Sequence, residues 1–203
     1  MLQRFRDHLS HGRFSESISL HGANFEATHL SGIDLSGLDF SGSNFDGADL
    51  SDAWLIRSEI SGCTFRRANL RGCYMIETAA VDTDFSEADL SGAYFRACIV
   101  VSSLNFYRAK LVHTNFEWST LRSCDFRGAD LRGARFYGAT VGNSRLEGVD
   151  LRVTLGLTDN LVDGQKDDRT VMPGKDNAAV ANEYSGKGHF WRPIKHPDGS
   201  ISY

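Results

Sequence analysis

From Leu20 onward a large apolar residue falls at every fifth position: Leu20, Phe25, Leu30, Leu35, Phe40, Phe45, Leu50, Leu55, Ile60, Phe65, Leu70 and Met75. Ala80 stands where a large residue is due, and the series resumes at Phe85, Leu90, Phe95 and Val100. The phase then slips by one residue, placed by this reading between Val100 and Phe106. It runs on through Leu111, Phe116, Leu121, Phe126, Leu131, Phe136, Val141, Leu146 and Leu151. A period of five fits neither a helix nor a long strand. Calling each large residue a centre, the position two before it is small or apolar, as in Ala48-Asp49-Leu50. In extended backbone those two point the same way, inward, and the polar residues flanking the centre point to water. Glycine often follows two after the centre, where a chain that must turn needs positive φ. Each quintet is therefore a short extended piece and a corner.

Sorting the centres by twenty gives columns of like residues. One reads Leu30, Leu50, Leu70, Leu90, Leu111, Leu131, Leu151; the next back reads Phe25, Phe45, Phe65, Phe85, Phe106, Phe126, Leu146. Sorting by fifteen mixes Leu and Phe. Four quintets per coil is the consistent solution, an all-β solenoid of about seven coils rising roughly 33 Å at ~4.8 Å per stacked strand.

Residues 18–153 resemble the pentapeptide-repeat family, with its tandem A-(D/N)-(L/F)-x-x quintets. The resemblance implies a right-handed quadrilateral β-helix, in a bacterial and cytoplasmic setting. It also brings a functional precedent: some members bind DNA gyrase by mimicking DNA, giving quinolone resistance or toxin immunity, and do so as acidic homodimers joined at C-terminal helices.

The ends lie outside this frame. Residues 1–17, with Leu2, Phe5, Leu9 and Phe14, read as an N-terminal cap without the apolar core of a secretory signal. Residues 154–203 read as a capping helix, N-capped by Thr158 and ending near Gly164, and an irregular tail with Phe190 and Trp191 as its anchors. No apolar run approaches the ~20 residues of a membrane span.

The remaining composition bears on chemistry. All four cysteines (Cys63, Cys73, Cys98, Cys124) fall two before a centre, in the inward small slot, so free buried thiols are expected rather than disulfides or a metal site. The seven histidines gather no acidic or cysteine partners at metal-ligand spacing, and the glycines belong to the five-residue phase rather than to a phosphate loop. No catalytic, cofactor-binding or metal constellation is read here, and a formal net charge of −4 does not suggest direct nucleic-acid binding. Acids dominate residues 18–65, whereas bases balance them over 66–153.

The outward slots carry the candidate site. Around the centres Leu55, Met75 and Phe95 they hold Trp54, Tyr74 and Tyr94, then Ile56, Ile76 and Arg96. One corner on they hold Ala79, Val81, Ile99 and Val101. Stacked at the coil spacing, Trp54, Ile56, Tyr74, Ile76, Val81, Tyr94, Ile99 and Val101 form one apolar patch. It is either a protein-binding surface or a seat for a terminal segment of the same chain. The first reading makes the chain a non-catalytic interaction module with an unidentified protein partner; the alternative is a DNA-mimicking modulator of DNA gyrase or topoisomerase.

Overall fold

A computed structural model describes residues 20–98, 101–157, 162–166, 168–172, 194–195 and 201–202. Its organising bond is a parallel bridge between residues about twenty apart. The N–H of a centre donates to the carbonyl of the residue before the next coil's centre, as Phe45 to Thr64 and Leu50 to Asn69 do, both at 2.7 Å. That next residue donates back, as Asn69 does to Ala48 at 2.9 Å. Four walls result, named here in chain order by their first centres: A from Leu20, B from Phe25, C from Leu30 and D from Leu35. On wall B the bridges run Asn24, Asn44, Thr64, Asp84, Asn105, Asp125, Arg145 without a break.

The corners follow from the same quintet. The residue two after each centre has positive φ, as at Gly47 (64°) and Gly92 (72°), and the next N–H closes back on the centre's carbonyl, Ala48 to Phe45 at 3.0 Å. This is the conformation a type II turn asks of its third residue. Where the corner holds Arg57, Glu77 or Trp118 instead, φ is still +55° to +63°. The stacking register therefore overrides a local backbone cost of about 1 kcal/mol each.

Inside, like packs on like. The wall B phenylalanines stack at centroid separations of 4.7 Å (Phe25–Phe45), 4.8 Å (Phe45–Phe65) and 5.0 Å (Phe65–Phe85). The residues two before the centres line the same interior. Where these are Ser, Thr or Cys, most donate to a centre carbonyl of the coil above: Ser43 to Leu20 (2.7 Å), Ser58 to Leu35 (2.9 Å), Thr78 to Leu55 (2.6 Å). Cys63 and Cys98 do the same through Sγ, to Phe40 and Met75. All four thiols are free and buried. Burial pushes Cys63, Cys98 and Cys124 up to about 12, and Cys73 upward as well, so none is a thiolate near neutrality.

Wall A straightens in the lower coils into a five-stranded parallel sheet: β1 (Ala80–Val81), β2 (Val101–Ser102), β3 (Thr120–Arg122), β4 (Thr140–Arg145) and β5 (Val162–Gln165). Its register corrects the position of the phase slip. Val101, not Val100, pairs with Ala80 and is buried at 4% exposure. The extra residue therefore lies between Cys98 and Val101, and Val101 is a core centre rather than an outward member of the patch.

The C-terminal end also differs from expectation. No α-helix occurs among the described residues, and Val162–Gly164, the latter half of the expected helix, belongs to β5, paired with β4. Thr158, its expected cap, lies outside the described residues, as do residues 1–17, Phe190 and Trp191. Parallel pairing runs past residue 153. Leu155 bridges to Arg135 on wall D, where Gly156 falls at the centre position and the neighbouring Leu157 supplies the buried side chain. Val171 bridges to Asp150 on wall C, Met172 packs against the core, and the Thr170 hydroxyl donates to Leu146 carbonyl at 2.8 Å. Thr170-Val171-Met172 thus repeats the inward–outward–inward part of a quintet. A separate antiparallel pair joins β6 (Ile194–Lys195) and β7 (Ile201–Ser202).

The residue before a centre often turns its carboxylate onto the corner. Asp39, Asp49, Asp130 and Asp150 are each held below the usual carboxylate range, chiefly by hydrogen bonds from the side chains of Ser41, Ser51, Arg132 and Arg152. Their contribution to stability is present above the unfolded-state pKa of about 3.9 and is lost as pH falls through the depressed folded values. The melting temperature should stay level from pH 7 to about 5 and drop below about 4, as followed by circular dichroism. Phe65→Ala, which opens the middle of the wall B stack at a fully buried position, should cost about 3–5 kcal/mol in urea titration.

Candidate protein-binding surface

Wall D carries an unbroken outward row down its parallel bridges: Asp34, Trp54, Tyr74, Tyr94, Asn115, Arg135, Leu155. In its middle the aromatic rings stack, Trp54 on Tyr74 at 4.6 Å and Tyr74 on Tyr94 at 4.9 Å with planes 3° apart. The parallel bridges place these three rings, twenty residues apart, one above the other. Tyr74 is half-buried, and burial raises its hydroxyl pKa.

The sequence-derived patch is only partly assembled at the surface. Ile56, Tyr74, Val81 and Tyr94 are half-buried. Trp54 and Ile76 are 6% and 7% exposed, so they offer little surface despite their outward slots. Val101 is in the core, and Ile99 lies outside the described residues.

Exposed large hydrophobic residues sit lower, on this wall and at its corners. Among the described residues the exposed large hydrophobics are Trp118 (48%), Leu155 (38%) and Val153 (37%). Trp118 follows the wall D centre Phe116 by two, and Val153 occupies the corner leading into wall D. A Cβ at Gly138, one coil below, would fall well inside contact distance of the Trp118 ring, so the ring lies against the wall over that glycine. Tyr137 lies over Gly156 in the same way and also receives the Arg135 guanidinium at 5.7 Å from its centroid. Two ion pairs border the surface, Arg57–Glu77 at 2.8 Å and Arg135–Glu117 at 2.6 Å. Trp118 and Val153, being corner residues, escape a reading confined to slots flanking the centres. The available signal was a tryptophan at a corner position that elsewhere takes glycine or a small, polar or charged residue.

In the lower coils the polar walls pair their charges. On wall C, Arg132 and Arg152 pair with Asp130 and Asp150 two residues earlier, at 2.6 and 2.8 Å. On wall B, Asp125 takes both Arg127 and Arg145, at 2.6 and 3.3 Å.

Parallel bridges at a twenty-residue interval, four walls and a filled core define a parallel β-solenoid built on five-residue repeats. The family profile for pentapeptide repeats matches residues 18–55, 63–99, 102–138 and 114–152, in eight copies. The chain belongs to the pentapeptide-repeat family, and its fold is a right-handed β-helix. No curated protein sequence matches it. Among solved structures it is similar to full-length QnrB1, a plasmid-mediated fluoroquinolone resistance protein. Identity is 22% over 80% of this chain and 87% of QnrB1, with a TM-score of 0.55. A second match is HetL, a pentapeptide repeat protein involved in heterocyst differentiation regulation in the cyanobacterium Nostoc sp. strain PCC 7120. There identity is 19% over the whole of this chain and 99% of HetL, with a TM-score of 0.31. No helix among the described residues is long and apolar enough to cross a membrane.

The two described tryptophans make the wall's geometry measurable. A variant keeping only Trp54 (Trp118→Phe/Trp191→Phe) should show acrylamide quenching several-fold weaker than one keeping only Trp118 (Trp54→Phe/Trp191→Phe). Equal quenching would contradict the burial of Trp54.

Proposed function

We propose that this protein is a non-catalytic interaction module, a rod of about seven coils that presents wall D to a protein partner. The observation that carries this reading is the position of the exposed apolar side chains. Trp118, Val153 and Leu155 lie outside a core that is already filled, Leu155 on the wall that also bears the Tyr74–Tyr94 stack and Trp118 and Val153 at that wall's two corners. Exposed aromatic residues beside arginine are the usual anchors of protein interfaces. The hydroxyls of Ser43, Ser58 and Thr78 and the thiols of Cys63 and Cys98, being engaged by backbone carbonyls in the interior, are unsuited to nucleophilic work.

The likeness to QnrB1 supports a second reading, a DNA-mimicking modulator of DNA gyrase, at the level of fold. The charge pattern weighs against it. A DNA mimic needs a sustained run of anionic charge, because duplex DNA carries one per ~1.7 Å of axis. Here the wall C row reads His29, Asp49, Asn69, Asp89, Lys110, Asp130, Asp150, and its lower acids are paired with arginines.

Affinity capture separates the two readings. Tyr94→Ala/Trp118→Ala should keep the wild-type circular dichroism spectrum yet lose a partner that the wild type retains. Retention of that partner by the folded variant would sink the wall D reading. Protection or inhibition of gyrase in a supercoiling assay at micromolar protein would favour the alternative, and no effect would remove it.

A further inference from the structure

We propose that the partner wall D receives is a second copy of this chain, docked antiparallel so that the wall faces itself. The inference rests on the reading of wall D as an interaction surface and adds the identity of its occupant. The outward row from Asp34 through Trp54, Tyr74, Tyr94 and Asn115 to Arg135 carries opposite charges at its two ends and two tyrosines at its middle. A two-fold axis crossing the wall between Tyr74 and Tyr94 sets Asp34 opposite Arg135 of the second copy and Tyr74 opposite its Tyr94. The same axis acts on the corner row. It sets Arg57, whose side chain is 72% exposed, opposite Trp118 of the second copy, itself 48% exposed. A guanidinium over an indole face is a favourable pairing. Asp34 and Arg135 are exposed as well, and because Arg135 and Arg57 already pair with Glu117 and Glu77 of their own chain, each guanidinium is shared across the contact rather than newly paired.

The alternative symmetry is worse on charge. An axis parallel to the rod would bring each coil against itself, Asp34 beside Asp34 and Arg135 beside Arg135. Only the antiparallel arrangement joins unlike ends, and the coil-by-coil bridge register sets the order in which the two rows meet.

Size fixes the strength expected. From Asp34 to Arg135 is five coil steps, about 24 Å at ~4.8 Å each. With a wall roughly 15 Å wide, the contact buries on the order of 800 Å² in total, below the ~1,200 Å² of stable complexes. The dimer is therefore a reversible one of micromolar affinity, weakened by salt because two of its contacts are ion pairs at the rim.

Sedimentation velocity on the full chain, over roughly 1–300 µM, tests this. The wild type should double its mass reversibly with concentration, at a midpoint that rises with salt. Asp34→Arg and Arg135→Asp should each raise the midpoint about tenfold or more. An equimolar mixture of these two variants should recover wild-type association, since each supplies the charge the other lacks. If either variant fails to fold, Asp34→Asn and Arg135→Gln replace them, and each should still raise the midpoint. A wild type monomeric throughout, association indifferent to both charges, or a mixture of folded charge variants that does not recover would overturn the proposal. If the wild type is monomeric while Tyr94→Ala/Trp118→Ala still loses a captured partner, self-docking fails and the wall D reading stands. If that variant also keeps its partners, both fail.

Discussion

The whole molecule hangs on one repeated exchange of backbone hydrogen bonds, in which a centre and the residue before the next coil's centre donate to each other's strand. Each bond is worth little on its own, about 1 kcal/mol net. Repeated on four walls, however, it fixes every residue over its counterpart about twenty positions on. Once that register is set, a phenylalanine has little choice but to stack on a phenylalanine. The carbonyl that a corner leaves inside can be met by a serine, threonine or cysteine from the coil below. Corners obey the same rule, since Arg57, Glu77 and Trp118 take the left-handed backbone that glycine would take more cheaply. The solenoid imposes its geometry on the residue, not the reverse.

That imposition explains the outside as well as the inside. A row of outward positions, one per coil, has no core to fill and turn chemistry to satisfy only in part. It is where the chain is free to vary. Walls B and C use the freedom for carboxylates that hydrogen-bond the corner and for arginines that neutralise them. Wall D uses it for aromatic rings, and the same ~4.8 Å rise that orders the core brings Trp54, Tyr74 and Tyr94 into ring contact. The surface inherits the register of the strands beneath it, so its side chains lie in rows, one residue per coil.

Much of this was legible from the order of residues, and particular positions show where legibility ended. The inward slot of the four cysteines followed from phase alone and holds. The phase slip did not, because Ile99, Val100 and Val101 are all apolar and β-branched, and any of them can serve as a centre. Pairing with Ala80 selects Val101. Near residue 158 a Thr-Asp start followed by apolar residues and a glycine suits a helix cap as a local signal. The adjoining β4 edge offers Val162–Gln165 a ladder instead, and a segment so short gains more from that ladder than from a marginal helix. Thr170-Val171-Met172 is part of a quintet in kind but falls out of phase after an irregular stretch, so periodicity misses it and a bridge to Asp150 reveals it.

The candidate site divides in the same way. By itself the sequence determined which residues point out and which stack, because inward and outward alternate strictly in extended backbone and the twenty-residue interval is exact enough to count. It placed Trp54, Tyr74 and Tyr94 in one row for that reason. Only the tertiary structure decided what that row offers to solvent: Trp54 and Ile76 are nearly enclosed, Val101 is core, and Trp118 is laid bare over Gly138. Exposure is a property of everything packed around a side chain, including residues far away in sequence. A five-residue period carries no information about those neighbours, so direction could be read along the chain while accessibility had to be measured in space.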